Sequence, residues 1–230
     1  MKTKILVTGA SRGIGAAIVD AFDSDGFDVV GLSTQDGDLA DPDVPHRLWD
    51  HALQRLDGHI DVLINNAGIF DDNPLDSSET DWLKNWNRTM QINLTASAAL
   101  CRLAVLHLKE TQRPGRIVNI ASRAAYRGDS PAHWHYAASK AGMVAITKTI
   151  ARGYASEGIL AFAICPGFTR TGMAEDYLAS RGGEKLLADI PLGKVADPEE
   201  VAAIAKFCAV DAPPSMTGAV LDVNGASYVR

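Results

Sequence analysis

Apolar positions along the chain follow two alternating rhythms. Six short runs, at residues 4–8, 28–33, 60–65, 116–122, 159–165 and 219–223, are apolar almost throughout, the pattern of strands covered on both faces. Between them lie stretches of helical period. The clearest is the i, i+3, i+4, i+7, i+8 stripe of Ile14, Ala17, Ile18, Ala21 and Phe22. Further helices are predicted within 42–57, 79–110, 134–157 and 197–210. Strands alternating with helices of this length predict an α/β fold, a doubly wound parallel sheet with helices on both faces, formed as a single domain over residues 1–230. Such sheets bind ligands beyond the carboxyl ends of their strands, so chemistry is expected in the residues just after each strand.

Composition narrows the classes of function. With 47% hydrophobic and 22% charged residues the chain is too apolar for disorder. A net charge of -6 supplies no overall field for nucleic acid or an anionic membrane, so neither partner is expected. Cys101, Cys165 and Cys208 are widely spaced, with no CxxC, and read as reduced and buried thiols of a cytoplasmic protein. The apolar run Ile5 to Val7 is too short for a signal-peptide core, and no segment reads as a membrane span.

Five motifs follow strand ends or sit on helices. After the first strand, Thr8-Gly9-Ala10-Ser11-Arg12-Gly13-Ile14-Gly15 runs into the amphipathic helix. Glycines there allow a tight turn and close approach of backbone to a pyrophosphate, which the helix N-terminus would attract. The alternative is a turn that is merely tight. Asn65-Asn66-Ala67-Gly68 closes the third strand and is either a floor beside a cofactor or a polar turn capping its own backbone. Tyr136 and Lys140, four apart, share a helix face, where an ammonium could lower a phenol's pKa enough for proton transfer, or simply make a surface contact. Ser122 ends a strand and either bonds a substrate oxygen or caps local backbone. Asn93, polar in an apolar helical stretch, either bonds neighbouring backbone or orders a water in a proton path.

These five in this order, with Pro166-Gly167-Phe168-Thr169-Arg170-Thr171 and the segment Thr217 to Gly225, closely resemble the short-chain dehydrogenase/reductase family over essentially the whole chain. The tail Ile190 to Val201 is most similar to the 3-oxoacyl-thioester reductase branch. The resemblance implies a Rossmann fold and an NAD(P)-dependent oxidoreductase acting on ketones or secondary alcohols. It makes Tyr136 the acid/base, Lys140 its partner and the holder of the nicotinamide ribose, Ser122 the group polarising the substrate oxygen, and Asn93 the positioner of a water. Cofactor contacts fall, by the same resemblance, to Gly9, Ser11, Arg12, Gly13, Ile14, Gly15, Ser33, Thr34, Asp38, Leu39, Asn66, Ala67, Gly68, Tyr136, Lys140, Pro166, Gly167, Thr169 and Thr171. It implies no metal. His133 and His135 lack a third ligand and read as substrate-loop or surface residues. It also implies a homotetramer acting on a small-molecule substrate.

The rival class is a dinucleotide-binding sensor of the same fold without turnover. Sensors are expected to lose the Tyr and Lys that this chain keeps. Epimerase and enoyl-reductase branches are disfavoured by the glycine spacing and by the four-residue Tyr–Lys interval respectively.

The chain departs from the family pattern in three places. Only Thr34 to Gly37 separate Ser33 from Asp38-Leu39, too few for a parallel crossover, so the usual helix is expected to be absent and the following strand lost or vestigial. Asp38-Leu39 should then reach the adenine side directly, leaving an open adenosine pocket. Phe162 stands where an Asn is usual, and Glu157 where carrier-protein reductases often carry a base, although Arg113 remains available. NADP(H) is favoured over NAD(H), because Ser33 and Thr34 replace the acid that grips ribose hydroxyls, and Arg12 supplies a positive charge. Asp36 and Asp38 argue the other way. Ile69, Phe70, Arg123 to Tyr126, Trp134, Phe168 and a lid over 171–187 are expected to line a moderately apolar substrate pocket.

Overall fold

The structure is a computed structural model and describes residues 2–24, 26–171 and 187–230. Six parallel strands form one sheet: β1 (Thr3–Thr8), β2 (Phe27–Leu32), β3 (Val62–Asn65), β4 (Gly115–Ile120), β5 (Ile159–Pro166) and β6 (Val220–Val223), in the order β2-β1-β3-β4-β5-β6. All five pairings are parallel, so every connection must cross a face of the sheet. The continuous apolar runs have this cause: alternate residues of each central strand feed two different cores.

On one face, α1 (Gly13–Ala21) and α7 (Pro198–Lys206) cover Ile5, Val7, Val62, Ile64, Val118 and Phe162. On the other, α2 (Val44–Arg55) and α4 (Ala96–Thr111) cover Leu6, Leu63 and Ile117. Phe162 is fully buried in the first of these cores. The stripe read from the sequence is the buried side of α1, except that Phe22 lies one residue past the helix, at its C-cap.

Residues 34–41 contain no helix, and β2 is the edge of the sheet, as the short Ser33–Asp38 interval predicts. The strand order reverses at β1, with β2 on one side of it and β3 on the other. That switch point opens a crevice at the carboxyl ends.

A single continuous helical segment joins α3 (Glu79–Met90), a π-turn (Gln91–Thr95) and α4. The expectation that nothing approaches a membrane span is corrected here. Glu79–Thr111 is long and apolar enough by length and composition, but half of its apolar window is buried inside the protein, where it packs on the sheet. Among the described residues the other α-helices are the single turn α5 (Ala124–Arg127) and the long α6 (Trp134–Tyr154), which packs on β4 and β5. Cys101, Cys165 and Cys208 are free and buried, and burial raises their thiols to about 12, 11 and 11.

Candidate active site

The β1–α1 turn needs its glycines. Gly9 and Gly13 take φ +66° and +55°, and a Cβ on Gly15 would lie 2.0 Å from the Gly9 carbonyl oxygen. Arg12, the N-cap of α1, makes no side-chain cap and no acid occupies the first turn, so the helix presents backbone N–H groups to the crevice. A cradle with no room for side chains and uncapped donors fits the pyrophosphate of a dinucleotide. Its far wall is Thr171, whose methyl group lies 2.9 Å from where a Gly13 Cβ would stand.

Asn66 ties the end of β3 to the end of β1. Its amide donates to the carbonyls of Thr8 and Gly9 at 3.1 Å each, while the Thr8 hydroxyl accepts from the backbone of Asn66 and Ala67. Asn65 turns inward instead, donating to Asn119 at 2.9 Å, and Asn119 donates to Thr147 at 2.8 Å. Only part of this motif therefore faces the crevice. Across the sheet, Gly167 abuts Asn224, and Thr169 is buried with its hydroxyl on the Gly167 carbonyl.

At the β2 end the backbone N–H and hydroxyl of Ser33 both meet the Asp36 carboxylate, at 2.8 and 3.3 Å. Thr34 and Arg12 are exposed. Asp38 is exposed and 3.9 Å from Arg88, whereas Leu39 is buried in the core beside Val44 and Leu48.

The helix α6 brings Tyr136 and Lys140 to the carboxyl ends of β4 and β5. Lys140 is buried, donating to the Ile120 carbonyl at 2.9 Å, and burial lowers its pKa to about 8. Tyr136 moves the opposite way, to about 12, again through burial. Hydrogen bonding to Ser122 and the charge of Arg123 pull its pKa down, but less strongly. This corrects the expectation that Lys140 lowers the phenol: the ammonium lies 5.8 Å from the Tyr136 ring centre, and desolvation dominates. Of the two readings of Ser122 the structure shows the local cap, its hydroxyl accepting from the Ala124 backbone at 3.1 Å.

Asn93 is buried in the π-turn, and its side-chain amide spans the N–H and C=O of Ile69, at 2.8 and 2.9 Å. The π geometry aims it inward from an otherwise apolar helix. Gly68 has to be small: a Cβ there would stand 3.3 Å from the Asn93 amide oxygen and 3.4 Å from the Lys140 ammonium.

The substrate side differs from its sequence reading. His133 and His135 are both buried, which corrects their assignment to the surface, and Trp134 between them is exposed. His133 stacks on Phe70 at 3.8 Å and lies 3.2 Å from Asp72. No metal-binding cluster forms among the described residues. Arg123, one of the expected lining residues, is buried with its guanidinium carbon 4.8 Å from the Phe168 ring centre. Most of the expected lid, 172–186, lies outside the described residues. Sequence reading missed Asp189, which pairs with Arg127 at 2.6 Å across 62 positions, a contact with no local signal. Glu157 pairs with Lys109 at 3.0 Å, and Arg113 is exposed.

Known proteins share this architecture. A family model described as enoyl-(acyl carrier protein) reductase matches residues 33–226. The 3-oxoacyl-[acyl-carrier-protein] reductase of Vibrio harveyi is 35% identical, covering 97% of this chain and 96% of that protein. The Synechocystis 3-oxoacyl-[acyl-carrier-protein] reductase is 37% identical, over 96% and 94%. Among solved structures, ligand-free aldohexose dehydrogenase of Thermoplasma acidophilum superposes with a TM-score of 0.87 at 28% identity, covering 100% of this chain and 95% of that one. An Agrobacterium tumefaciens protein proposed to be a 2-deoxy-d-gluconate 3-dehydrogenase, solved with bound NADP, gives 0.84 at 29%, over 99% and 97%. The chain belongs to the short-chain dehydrogenase/reductase family, in its 3-oxoacyl reductase-like branch, and is an NAD(P)-dependent oxidoreductase.

Proposed function

We propose that the protein interconverts a ketone and a secondary alcohol using NADP(H), with Tyr136 as proton donor and acceptor. The observation that carries this reading is the Tyr136 phenol, hydrogen-bonded to Ser122 at the carboxyl edge of the sheet, one helical turn from the buried Lys140. The dinucleotide, held by the β1–α1 cradle, supplies the hydride. Ser122 donates to the substrate oxygen and orients it, and Tyr136 delivers the proton as charge develops there. A phenol held near 12 keeps its proton at physiological pH, which suits it to reduction. Lys140 holds the ribose. Asn93, its side chain engaged with Ile69, positions a water that connects Lys140 to solvent. Dinucleotide-dependent absorbance change with a panel of ketones and alcohols tests the reading. Cofactor binding with no turnover across the panel would favour the sensor alternative.

The NADP(H) preference is supported by the relative solved with NADP and by exposed Arg12 at the mouth of the cradle. Asp36 opposes it, because a 2′-phosphate must displace that carboxylate from Ser33. Fluorescence titration should show NADPH binding about tenfold tighter than NADH, the worth of one charge-assisted contact. Asp36→Ala should widen that gap. Tighter NADH binding that is lost in Asp36→Ala would reverse the assignment.

The substrate is a small carbonyl compound or alcohol, and the protein assembles as a homotetramer. Light scattering at micromolar concentration should give four subunits of 24.5 kDa each, and a monomer would contradict it.

A further inference from the structure

A cation is buried next to Ser122 in the chain, and among the described residues it shares its one ion-paired carboxylate with a second arginine. Arg123 follows Ser122 directly in the chain, is 8% exposed, and lies with its guanidinium carbon 4.8 Å above the Phe168 ring. Its nearest acid among the described residues is Asp189, at 3.5 Å. That carboxylate is already held by Arg127 at 2.6 Å, so one anion faces two guanidiniums. Asp129 acts on Arg123 only at longer range, and its carboxylate accepts from the Ser130 backbone. The Arg123 Nη1 atom that faces Asp189 is buried and makes an ion pair there but no hydrogen bond.

Burying a guanidinium that has only a shared, long ion pair is costly, and a packed apolar side chain of similar volume would cost less. A fold that only needed to fill this space would not place an arginine here. The group's planar donors match a carboxylate, which can accept two parallel hydrogen bonds.

We propose that the substrate is an oxo acid or hydroxy acid whose carboxylate is bound by Arg123 while its carbonyl or hydroxyl oxygen lies at Ser122 and Tyr136. This deepens the functional reading above and rests on it. The charge of Arg123 acts on the Tyr136 phenol, so the two groups share one site, and the proposal puts both substrate anchors on one small molecule. Phe168, under the guanidinium plane, keeps water from the pair and stiffens the arginine. Specificity arises because an uncharged analogue leaves the buried guanidinium with only its shared contact to Asp189.

The test compares 3-oxobutanoate and 4-oxopentanoate with their methyl esters under NADPH, in the wild type, Arg123→Met and Arg123→Lys. In parallel, calorimetry measures binding of 3-hydroxybutanoate and its methyl ester to the NADP⁺-loaded protein. The wild type should prefer acid over ester by about 10- to 100-fold in kcat/KM, chiefly through KM, the range of one charge-assisted pair. Arg123→Met should bring the two within about threefold, Arg123→Lys should lie between, and NADPH affinity should not change. An ester handled as well as its acid by the wild type, in turnover and in binding, overturns the proposal, as does a preference that survives in Arg123→Met. The wild-type comparison stands even if the Met variant does not fold. Acid-selective binding without turnover would instead remove the proposed oxidoreduction at Tyr136 while supporting the carboxylate site.

Discussion

Tyr136→Phe is expected to lower ketone reduction by about 100-fold or more, the lower end of what a positioned acid or base contributes. The ring edge packed against Phe70, with centroids 4.7 Å apart, keeps its contact, and only the oxygen bonded to Ser122 is lost. NADPH affinity and thermal stability should therefore stay near wild type, which separates lost chemistry from lost structure. The wild-type pH profile supplies a second measure. With the phenol at about 12, its proton is available for reduction through pH 10, whereas alcohol oxidation needs the deprotonated form and should climb across that range. Retained turnover in the Phe variant would remove Tyr136 from the mechanism.

The second large effect is expected at Lys140, where function and stability should move in opposite directions. Below about pH 8 both the folded and unfolded chains carry the lysine proton, and the folded one holds it in a buried site. Between about 8 and the ordinary value of 10.5 the folded chain releases the proton while the unfolded chain keeps it, so the contribution of Lys140 to stability rises with pH in that window. The gap corresponds to about 3 kcal/mol of cost at pH 7. Lys140→Met should remove that cost, less what is lost with the hydrogen bond to Ile120. Chemical denaturation at pH 7 should show the variant more stable, with the advantage shrinking toward pH 9.5. Measurements should stop there, because Tyr136 titrates near 10 in the unfolded chain and about 12 in the folded one, and this lowers stability at higher pH. Turnover and cofactor affinity should both fall in the same variant. A variant less stable than wild type at pH 7, with no pH dependence in the difference, would show that the ammonium is not held at a cost.

Much of the fold is legible because its signals are local or periodic. The uninterrupted apolar runs mark strands buried on both faces, and the four residues between Ser33 and Asp38 exclude a crossover by length alone. β3 is shorter than its apolar run because Ile60 is used in the core without joining the ladder, which begins at Val62. The site's residue types are also local: a glycine turn entering a helix, Tyr and Lys on one helical face, a hydroxyl at a strand end.

What the sequence by itself determined is the parallel α/β architecture, the missing helix after β2, and the identity of the groups that meet at the carboxyl edge. The tertiary structure alone decided their electrostatics. A pKa depends on burial and on neighbours distant in the chain, so the fall of Lys140 to about 8 and the rise of Tyr136 to about 12 have no signature in a Tyr-x3-Lys spacing. The same holds for Asn93, aimed inward by a π-turn, for His133 and His135, which look like loop residues and are buried, and for Arg123. Its unbalanced charge exists only because Asp189, 66 positions away, is shared with Arg127. Periodicity reports which face of an element is buried, whereas charge balance in a cleft is set by which elements fold against one another.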